Sequence, residues 1–202
     1  MPLGIGLSTE DEMKILILSG SRNPKGQTAK AMAAVAEGAR SAGCTVEEIF
    51  LPTKKIERCR QCDDDGWGLC RKEARCVIED DFAALVEKVR EADVVVFANP
   101  VYFGDLSESL RAFLNRFRRI SIHGARHDRI EGKPVVGVCV AGGGGGGAPR
   151  CASNMEFELA TCGFDVVDMV AARRQNLAMK LDVLRVVGKW LATKPSSKQG
   201  TP

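Results

Sequence analysis

Four cysteines lie close together in a polar stretch of this 202-residue chain: Cys59, Cys62, Cys70 and Cys76. The first two form a C-x-x-C pair, which can place two thiolates on one metal, and the other two complete a set of four. A secreted disulfide scaffold spreads its cysteines through the chain, whereas a local cluster in a cytosolic protein indicates metal or redox chemistry. The cluster is therefore a candidate metal or redox site.

A second candidate site lies in the sequence KILILSGSRNPKGQT, from Lys14 to Thr28. Aliphatic residues lead into small and polar ones, and a helix-forming run begins at Thr28, which is typical of a buried strand, a loop and a helix. Free N–H groups and the positive dipole end at a helix N-terminus favour an anion. Further donors to such an anion are Ser19, Ser21, Arg22, Gln27 and Thr28. We predict a phosphate site here; the alternative is an ordinary turn with a helix cap.

The spacing within this loop excludes one class of phosphate site. A nucleotide triphosphatase loop has the pattern G-x-x-x-x-G-K-[ST], but Gly20 and Gly26 are one residue too far apart and Gln27 replaces the lysine. No cation is placed to bind a β/γ-phosphate pair. A single terminal phosphate, bound by hydroxyls and amides, fits this loop better.

Two other unusual loops follow aliphatic runs. In the loop NPVYFG, Tyr102 is the only tyrosine of the chain and stands beside Phe103 and Gly104. A planar heteroaromatic ring could lie against these aromatics, with the glycine allowing close backbone approach; the alternative is that both pack under the following helix. The other loop is six consecutive glycines, Gly142 to Gly147. It suits the edge of a ligand, and a mobile surface loop is the alternative.

Strands and helices alternate along the chain, which predicts right-handed βαβ units and a parallel sheet covered on both faces. We expect a five-stranded α/β fold of the flavodoxin-like type, a three-layer sandwich with strand order 2-1-3-4-5. In such a sheet ligands bind beyond the carboxyl ends of strands 1, 3 and 4, which the three unusual loops follow. The predicted later elements are strands at 45–51, 93–98, 134–141 and 163–170 and helices at 28–41, from 82, from 107, at 148–162 and at 176–191.

Three sequences, GSRNPKGQT, NPVYFG and the glycine-rich loop, occur in this order and resemble the NAD(P)H-dependent FMN reductase branch of flavodoxin-like proteins. The cysteine cluster followed by VIEDDF is similar to the iron–sulfur flavoproteins within that branch. The similarity covers roughly Lys14 to Val170.

The resemblance implies a role for each loop. The first loop would hold the FMN phosphate through Ser19, Ser21, Arg22, Gln27 and Thr28. The second would border the isoalloxazine ring with Pro100, Val101, Tyr102, Phe103 and Gly104. The third would form the opposite edge with Gly142, Gly143, Gly144 and Gly145.

The resemblance also implies an activity. NAD(P)H would deliver a hydride to the flavin, which would pass electrons to a quinone, a flavin or a metal centre, and the protein would need no acid or base of its own. Two alternatives stay open: a non-enzymatic electron carrier with a protein partner, and an α/β binding module without flavin. The family also implies a homodimer or homotetramer.

The cysteine spacing departs from that of the iron–sulfur flavoproteins, where the third cysteine comes three residues after the second. Here Asp65 holds that position, and Cys70 follows five residues later, after Gly66-Trp67-Gly68. Three interpretations remain open: a 4Fe–4S cluster, a zinc ion, or free thiols and disulfides.

A basic segment runs from Arg111 to Arg129. It contains Arg116, Arg118, Arg119, Arg126 and Arg129, with His123 and His127. It could bind the 2′-phosphate of NADPH or hold a metal through the His-x-x-x-His pair. A solvated helix end and loop is the favoured interpretation, as for most charge runs.

The net charge of +3 gives no reason to expect nucleic acid or a membrane surface as a partner. The first 12 residues lack the features of a signal peptide, and no apolar run approaches the roughly 20 residues needed to cross a bilayer. We expect a cytoplasmic protein with one FMN-binding domain at 13–193 and a cysteine-rich insertion at 55–79. A flexible segment at 1–12 and a disordered tail at 194–202 would flank this domain.

Overall fold

The computed structural model describes residues 12–122 and 129–197. Within these ranges lies a five-stranded sheet whose strands pair in parallel in the order β2-β1-β3-β4-β5. This order confirms the flavodoxin-like arrangement. The strands are β1 (Lys14–Ser19), β2 (Thr45–Phe50), β3 (Val94–Pro100), β4 (Pro134–Ala141) and β5 (Asp165–Arg173).

Helices cover both faces of the sheet. One face packs against α1 and α6, and the other packs against α3, α4 and α5. The alternating side chains of β1 divide between the two cores: Ile15 and Ile17 belong to the first, and Leu16 and Leu18 to the second. The helices are α1 (Gln27–Ser41), α2 (Leu69–Lys72), α3 (Phe82–Glu91), α4 (Glu108–Ser121), α5 (Ala148–Thr161) and α6 (Leu177–Leu191).

Burial explains why the central strands could be recognised in the sequence. Every residue of β4 is buried, and β1 and β3 are buried except for one terminal residue each. A strand enclosed on both faces needs an unbroken apolar run. The edge strand β2 instead mixes exposed, half-buried and buried positions, as an edge does.

Two of the differences between the structure and the predicted elements extend or add an element. Strand β5 continues to Arg173, because Ala172 and Arg173 still pair with the last two residues of β4. The short helix α2 lies inside the cysteine-rich insertion, where the sequence predicted no element.

The segment after α6 also differs from the prediction of a disordered tail. Asp165 is buried and accepts hydrogen bonds from the Ser197 backbone N–H at 3.0 Å and from the Ser196 hydroxyl at 2.8 Å. Lys194 pairs with Asp93 at 3.2 Å. Hydrogen bonds and an ion pair to the carboxylates of Asp93 and Asp165 therefore hold residues 194–197 against the domain. Residues 1–11 and 198–202 lie outside the described residues.

None of the described helices is both long and apolar enough to cross a membrane.

Candidate functional site

The loop between β1 and α1 is shaped by its own hydroxyls. Ser19 is fully buried, and its Oγ accepts a hydrogen bond from the Ser21 backbone N–H at 3.2 Å. Ser21 Oγ in turn accepts from the Asn23 backbone N–H at 3.3 Å. These contacts curl the loop ahead of the helix. Both serines therefore fix the backbone of the predicted phosphate site, and Arg22 lies exposed on its outer side.

The N-terminus of α1 is open. Gly26 occupies the cap position, no side chain caps the helix, and no acidic residue stands in its first turn. The first N–H groups of such a helix have no partner within the helix and favour an anion. Thr28 is buried in this turn and adds a hydroxyl. The side-chain oxygen of Gln27 is buried and has no hydrogen-bond partner among the described residues.

A buried polar network connects this loop to the loop after β3. Asn99 is fully buried: its Oδ1 accepts from the Ser107 N–H at 3.0 Å, and its Nδ2 donates to the Pro100 carbonyl at 2.8 Å. Ser109 Oγ donates to the carbonyl of Gly20 at 3.2 Å. The sequence prediction missed the roles of the Asn99 and Ser109 side chains. The sequence did contain a signal for Asn99, which is a polar residue at the end of a buried strand. A buried polar side chain must find hydrogen-bond partners.

The loop after β3 ends in a tight turn from Tyr102 to Asp105. The two residues exchange backbone hydrogen bonds of 3.1 and 2.9 Å. Phe103 and Gly104 have φ values of 50° and 77°, the positive angles of a type I′ turn. Tyr102 is 48% exposed and Phe103 is fully exposed. The alternative that both aromatics pack under α4 is therefore wrong, and they stand on the rim beside Pro100 and Val101, which are half-buried.

The glycine loop after β4 meets both other loops. Gly147 has a φ of 80°, and a Cβ atom there would lie only 2.7 Å from the Gly104 Cα. At Gly142 a Cβ atom would lie 3.7 Å from the Gln27 side-chain oxygen. Gly144 accepts a hydrogen bond from Gln175 Nε2 at 3.1 Å. The structure thus gathers the three predicted loops at one rim, beyond the carboxyl ends of β1, β3 and β4.

The carboxylate at this rim holds the turn in place. Burial alone raises the pKa of Asp105, but hydrogen bonds from the Leu106 N–H and Asn154 and the charge of Arg111 outweigh it and lower the pKa below its usual range. Arg111 also bridges Asp105 to Glu158 of α5. Asp105 is therefore ionised at neutral pH and fixes the loop against α4 and α5.

The four clustered cysteines line one pocket. Cys59, Cys62, Cys70 and Cys76 are all half-buried and all free thiols. The structure thus brings the predicted set together and shows no disulfide among the described residues. No three His, Cys, Asp or Glu side chains of the described residues are arranged to hold a single metal ion. The 4Fe–4S cluster and the zinc ion both stay predictions for this pocket.

The basic segment divides among several surroundings. Arg116 is 1% exposed and forms a two-pronged ion pair with Asp80, at 2.6 and 3.0 Å. The interpretation of the whole segment as solvated is therefore wrong for Arg116. Arg118 lines a groove between α4 and α5, and Arg119 lines the cysteine pocket. Arg126, His123 and His127 lie outside the described residues, and Arg129 pairs with Glu87 at 3.6 Å.

Residues 13–178 match the family model of the NADPH-dependent FMN reductases. The chain belongs to this family. The predicted family is therefore confirmed.

Curated relatives of this FMN reductase family member include several iron–sulfur flavoproteins. One from Methanocaldococcus jannaschii is 30% identical over 131 residues, which cover 65% of each protein. One from Methanosarcina thermophila is 34% identical over 104 residues, or 52% of each. An NAD(P)H dehydrogenase (quinone) from Trichlorobacter lovleyi is 32% identical over 92 residues, which are 45% of this chain and 42% of the relative. The chain thus spans less than two thirds of the length of these relatives.

Solved structures of other proteins share the fold. An NAD(P)H:quinone oxidoreductase from Methanothermobacter marburgensis superposes with a TM-score of 0.70 at 21% identity, covering 89% of this chain and 96% of that one. A flavodoxin from the domain Archaea gives a TM-score of 0.58 at 13% identity, covering 90% and 98%. These similarities confirm the flavodoxin-like fold.

The open rim of this FMN reductase family member fits FMN. The unpaired N–H groups at the start of α1 suit its phosphate, a negatively charged acceptor. The Gln27 oxygen, which is an acceptor, suits a hydroxyl of the ribityl chain, and donation from the Gln27 amide nitrogen to the phosphate stays a prediction. The loop glycines leave room for a flat ring to approach the backbone.

Proposed function

We propose that this protein is an FMN-dependent oxidoreductase that passes electrons from NAD(P)H through bound FMN to a quinone, a flavin or a metal-centre acceptor. One observation carries the proposal. Three loops meet at a rim that combines an uncapped helix N-terminus with a buried acceptor lacking a partner. FMN bound there would supply the hydride acceptor and the electron donor of the reaction.

The residues of the rim have separate tasks in this proposal. Thr28, Ser21 and the first N–H groups of α1 hold the phosphate, with Ser19 and Arg22 completing the loop. Gln27 donates from its amide nitrogen to the phosphate, and its side-chain oxygen accepts from the ribityl chain. Tyr102 and Gly104 border one edge of the ring, with Pro100, Val101 and Phe103 around them, and Gly142 to Gly145 border the other edge.

The protein itself orients the reactants and transfers no proton. Asp105 is the carboxylate of the rim, and its pairing with Arg111 keeps it ionised and engaged. Phe103, Gly143 and Gly144 are exposed, so the rim stays open to solvent on that side. A nicotinamide or a quinone can therefore reach the rim from solvent on that side.

The four cysteines support a second centre in this proposal. Cys59, Cys62, Cys70 and Cys76 would hold a 4Fe–4S cluster, and Arg119 in the pocket wall would offset part of its negative charge. This pocket favours the second candidate function, an iron–sulfur flavoprotein that carries electrons to a protein partner without oxidising NAD(P)H. Several curated relatives carry the name iron–sulfur flavoprotein.

One experiment tests the function and separates the candidates. The protein is purified without oxygen, and the oxidation of NADH and of NADPH is followed with and without a soluble quinone. We expect quinone-dependent turnover, and a strong loss of it in the double variant Ser21→Ala with Thr28→Ala when FMN is limiting. A yellow protein that oxidises neither nucleotide would favour the electron carrier. A protein that stays colourless when mixed with FMN would favour a binding module without flavin.

We also propose a homodimer or homotetramer, on the basis of the family resemblance. Light scattering coupled to size-exclusion chromatography measures the mass directly, and a single chain of 21.8 kDa would contradict the proposal. The cytoplasmic location stays a prediction.

A further inference from the structure

Helix α4 supplies a positively charged wall to the cysteine pocket. Arg116 and Arg119 are three residues apart, so they lie on the same face of the helix. Both line the pocket together with Arg60, and no carboxylate of the described residues lines it. Arg60 is paired at the surface with Glu57. Arg116 is paired inside the fold with Asp80, so its charge is already compensated, whereas Arg119 forms no ion pair among the described residues. Arg119 therefore supplies the inner uncompensated positive charge of this pocket.

Each of these two guanidinium groups has a buried Nε donor without a partner among the described residues. Arg116 uses its terminal nitrogens on Asp80 and on the carbonyls of Glu57 and Ile78. Arg119 uses Nη2 on the Gly66 carbonyl. The Nε atoms of both arginines are buried and have no hydrogen-bond acceptor among the described residues. Because buried donors in proteins are nearly always paired, these two N–H groups indicate an acceptor that belongs in the pocket.

Arg119 also explains how the pocket accommodates the longer spacing between Cys62 and Cys70. The Trp67 ring contacts both Arg119, at 4.1 Å from the ring centre, and Arg71, at 4.6 Å. Gly66 and Gly68 flank this tryptophan, and a Cβ atom at Gly68 would lie 3.0 Å from the Cys62 Cβ. The segment between the second and third cysteines is therefore fastened to α4, which keeps both of them at one pocket.

We propose that Arg116 and Arg119 are positioning residues for an anionic 4Fe–4S cluster held by the four cysteines, and that the charge of Arg119 sets its reduction potential. This inference rests on the cluster in the proposed function. Their Nε–H groups donate to sulfur atoms of the cluster. Reduction adds one negative charge, so the nearby positive charge of Arg119 stabilises the reduced form and raises the potential.

The test uses the complete protein with its cluster, purified without oxygen and titrated with dithionite and redox mediators. Arg119→Gln removes one charge of the pocket wall. We expect the one-electron reduction equilibrium to become about tenfold less favourable, which lowers the midpoint potential by about 59 mV. Arg119→Lys keeps the charge but loses the planar set of donors, so its potential should lie between those of Arg119→Gln and the wild type.

Arg118→Gln is the matched control. Arg118 directly precedes Arg119 in α4, but it lines the groove between α4 and α5 together with Asn115 and Thr161. It should have the wild-type potential. A merely structural role of Arg119 would change cluster content or melting temperature without moving the potential. Equal potentials in the wild type, Arg118→Gln and Arg119→Gln would overturn the inference while leaving the cluster in place.

Two further outcomes are decisive. Arg119→Gln could bind FMN but lose its iron, and its cluster potential could then not be measured. In that case the potential of Arg119→Lys is compared with that of the wild type. A lower potential in Arg119→Lys supports the inference, and an equal potential overturns it. If the wild type itself contains neither iron nor acid-labile sulfide, the proposed cluster fails, and this inference fails with it. The iron content of the wild type thus distinguishes failure of the proposed cluster from failure of the arginine role.

Discussion

The contact between Gly104 and Gly147 provides a sharp test of the loop arrangement. A methyl group at position 147 would lie 2.7 Å from the Gly104 Cα and 3.1 Å from its nitrogen. Carbon atoms in good contact are about 3.5–4.0 Å apart, so Gly147→Ala must part the two loops by roughly 1 Å. Gly104 cannot give way freely, because it lies in the hydrogen-bonded turn from Tyr102 to Asp105.

Two destabilising effects act together in Gly147→Ala. The φ of Gly147 is 80°, and a residue with a Cβ atom loses about 1–2 kcal/mol in that left-handed conformation. The clash adds to this strain, so we expect a total of about 1–3 kcal/mol. If the free protein relieves the strain by parting its loops, FMN must bring them together again. Its affinity then falls by about 5- to 150-fold.

Fluorescence titration of the apo-protein with FMN measures this loss, and thermal unfolding measures any strain that remains. Each kcal/mol of remaining strain lowers the melting temperature by about 2–4 °C. Gly146→Ala is the control, because no atom lies within 4 Å of a Cβ there and its φ is not left-handed. If Gly147→Ala matches Gly146→Ala in both measurements, the contact between the loops is not needed and this reasoning is refuted.

Three further predictions follow from the sites. Ser21→Ala with Thr28→Ala should weaken FMN binding by about 1.5–3 kcal/mol for each lost donor, and unchanged affinity in a fluorescence titration would argue against this phosphate site. Cys59→Ser should abolish iron but leave FMN bound; full iron content would exclude this cysteine as a ligand. Asp80→Asn should lower the free energy of unfolding by about 3–5 kcal/mol at pH 7, because Arg116 is left buried without its counter-charge. The difference in unfolding free energy between Asp80→Asn and the wild type, measured by urea unfolding, should become smaller as the pH falls below about 4. A difference that stays constant with pH would contradict this prediction.

The pH dependence follows from the pKa of Asp80. Burial alone raises this pKa, but hydrogen bonds from Arg116 and from the backbone N–H groups of Glu57 and Phe82 outweigh it and lower the pKa below its ordinary value. The ion pair therefore stabilises the fold above the pKa of an unfolded aspartate, about 3.9. This stabilisation is lost as the pH falls through the lower pKa of the folded state.

The fold could be predicted because its signals are local. The unbroken aliphatic runs of β1, β3 and β4 follow from burial on both faces, and the handedness of βαβ units leaves few strand orders. The three loops could be placed at one rim for the same reason, since parallel strands end at one edge. That their predicted residues bind FMN stays a prediction.

Contacts between distant parts of the chain could not be predicted. Arg116 looks like part of a solvated charge run, and its partner Asp80 is 36 residues away in the sequence. The approach of Gly104 to Gly147 likewise depends on how two loops meet, and six consecutive glycines do not show which of them is essential. Asn99 was missed as a buried polar contact because two of its partners, Ser107 at the start of α4 and Cys151 of α5, lie on other elements.

The binding of a flavin phosphate at the N-terminus of α1 is the central claim, and one comparison tests it most directly. Apo-protein is titrated with FMN and, separately, with riboflavin, which lacks the phosphate. Charge-assisted hydrogen bonds from the open helix end contribute about 1.5–3 kcal/mol each, so FMN should bind at least tenfold more tightly than riboflavin. Equal affinity for the two flavins, or binding of neither, would contradict the account.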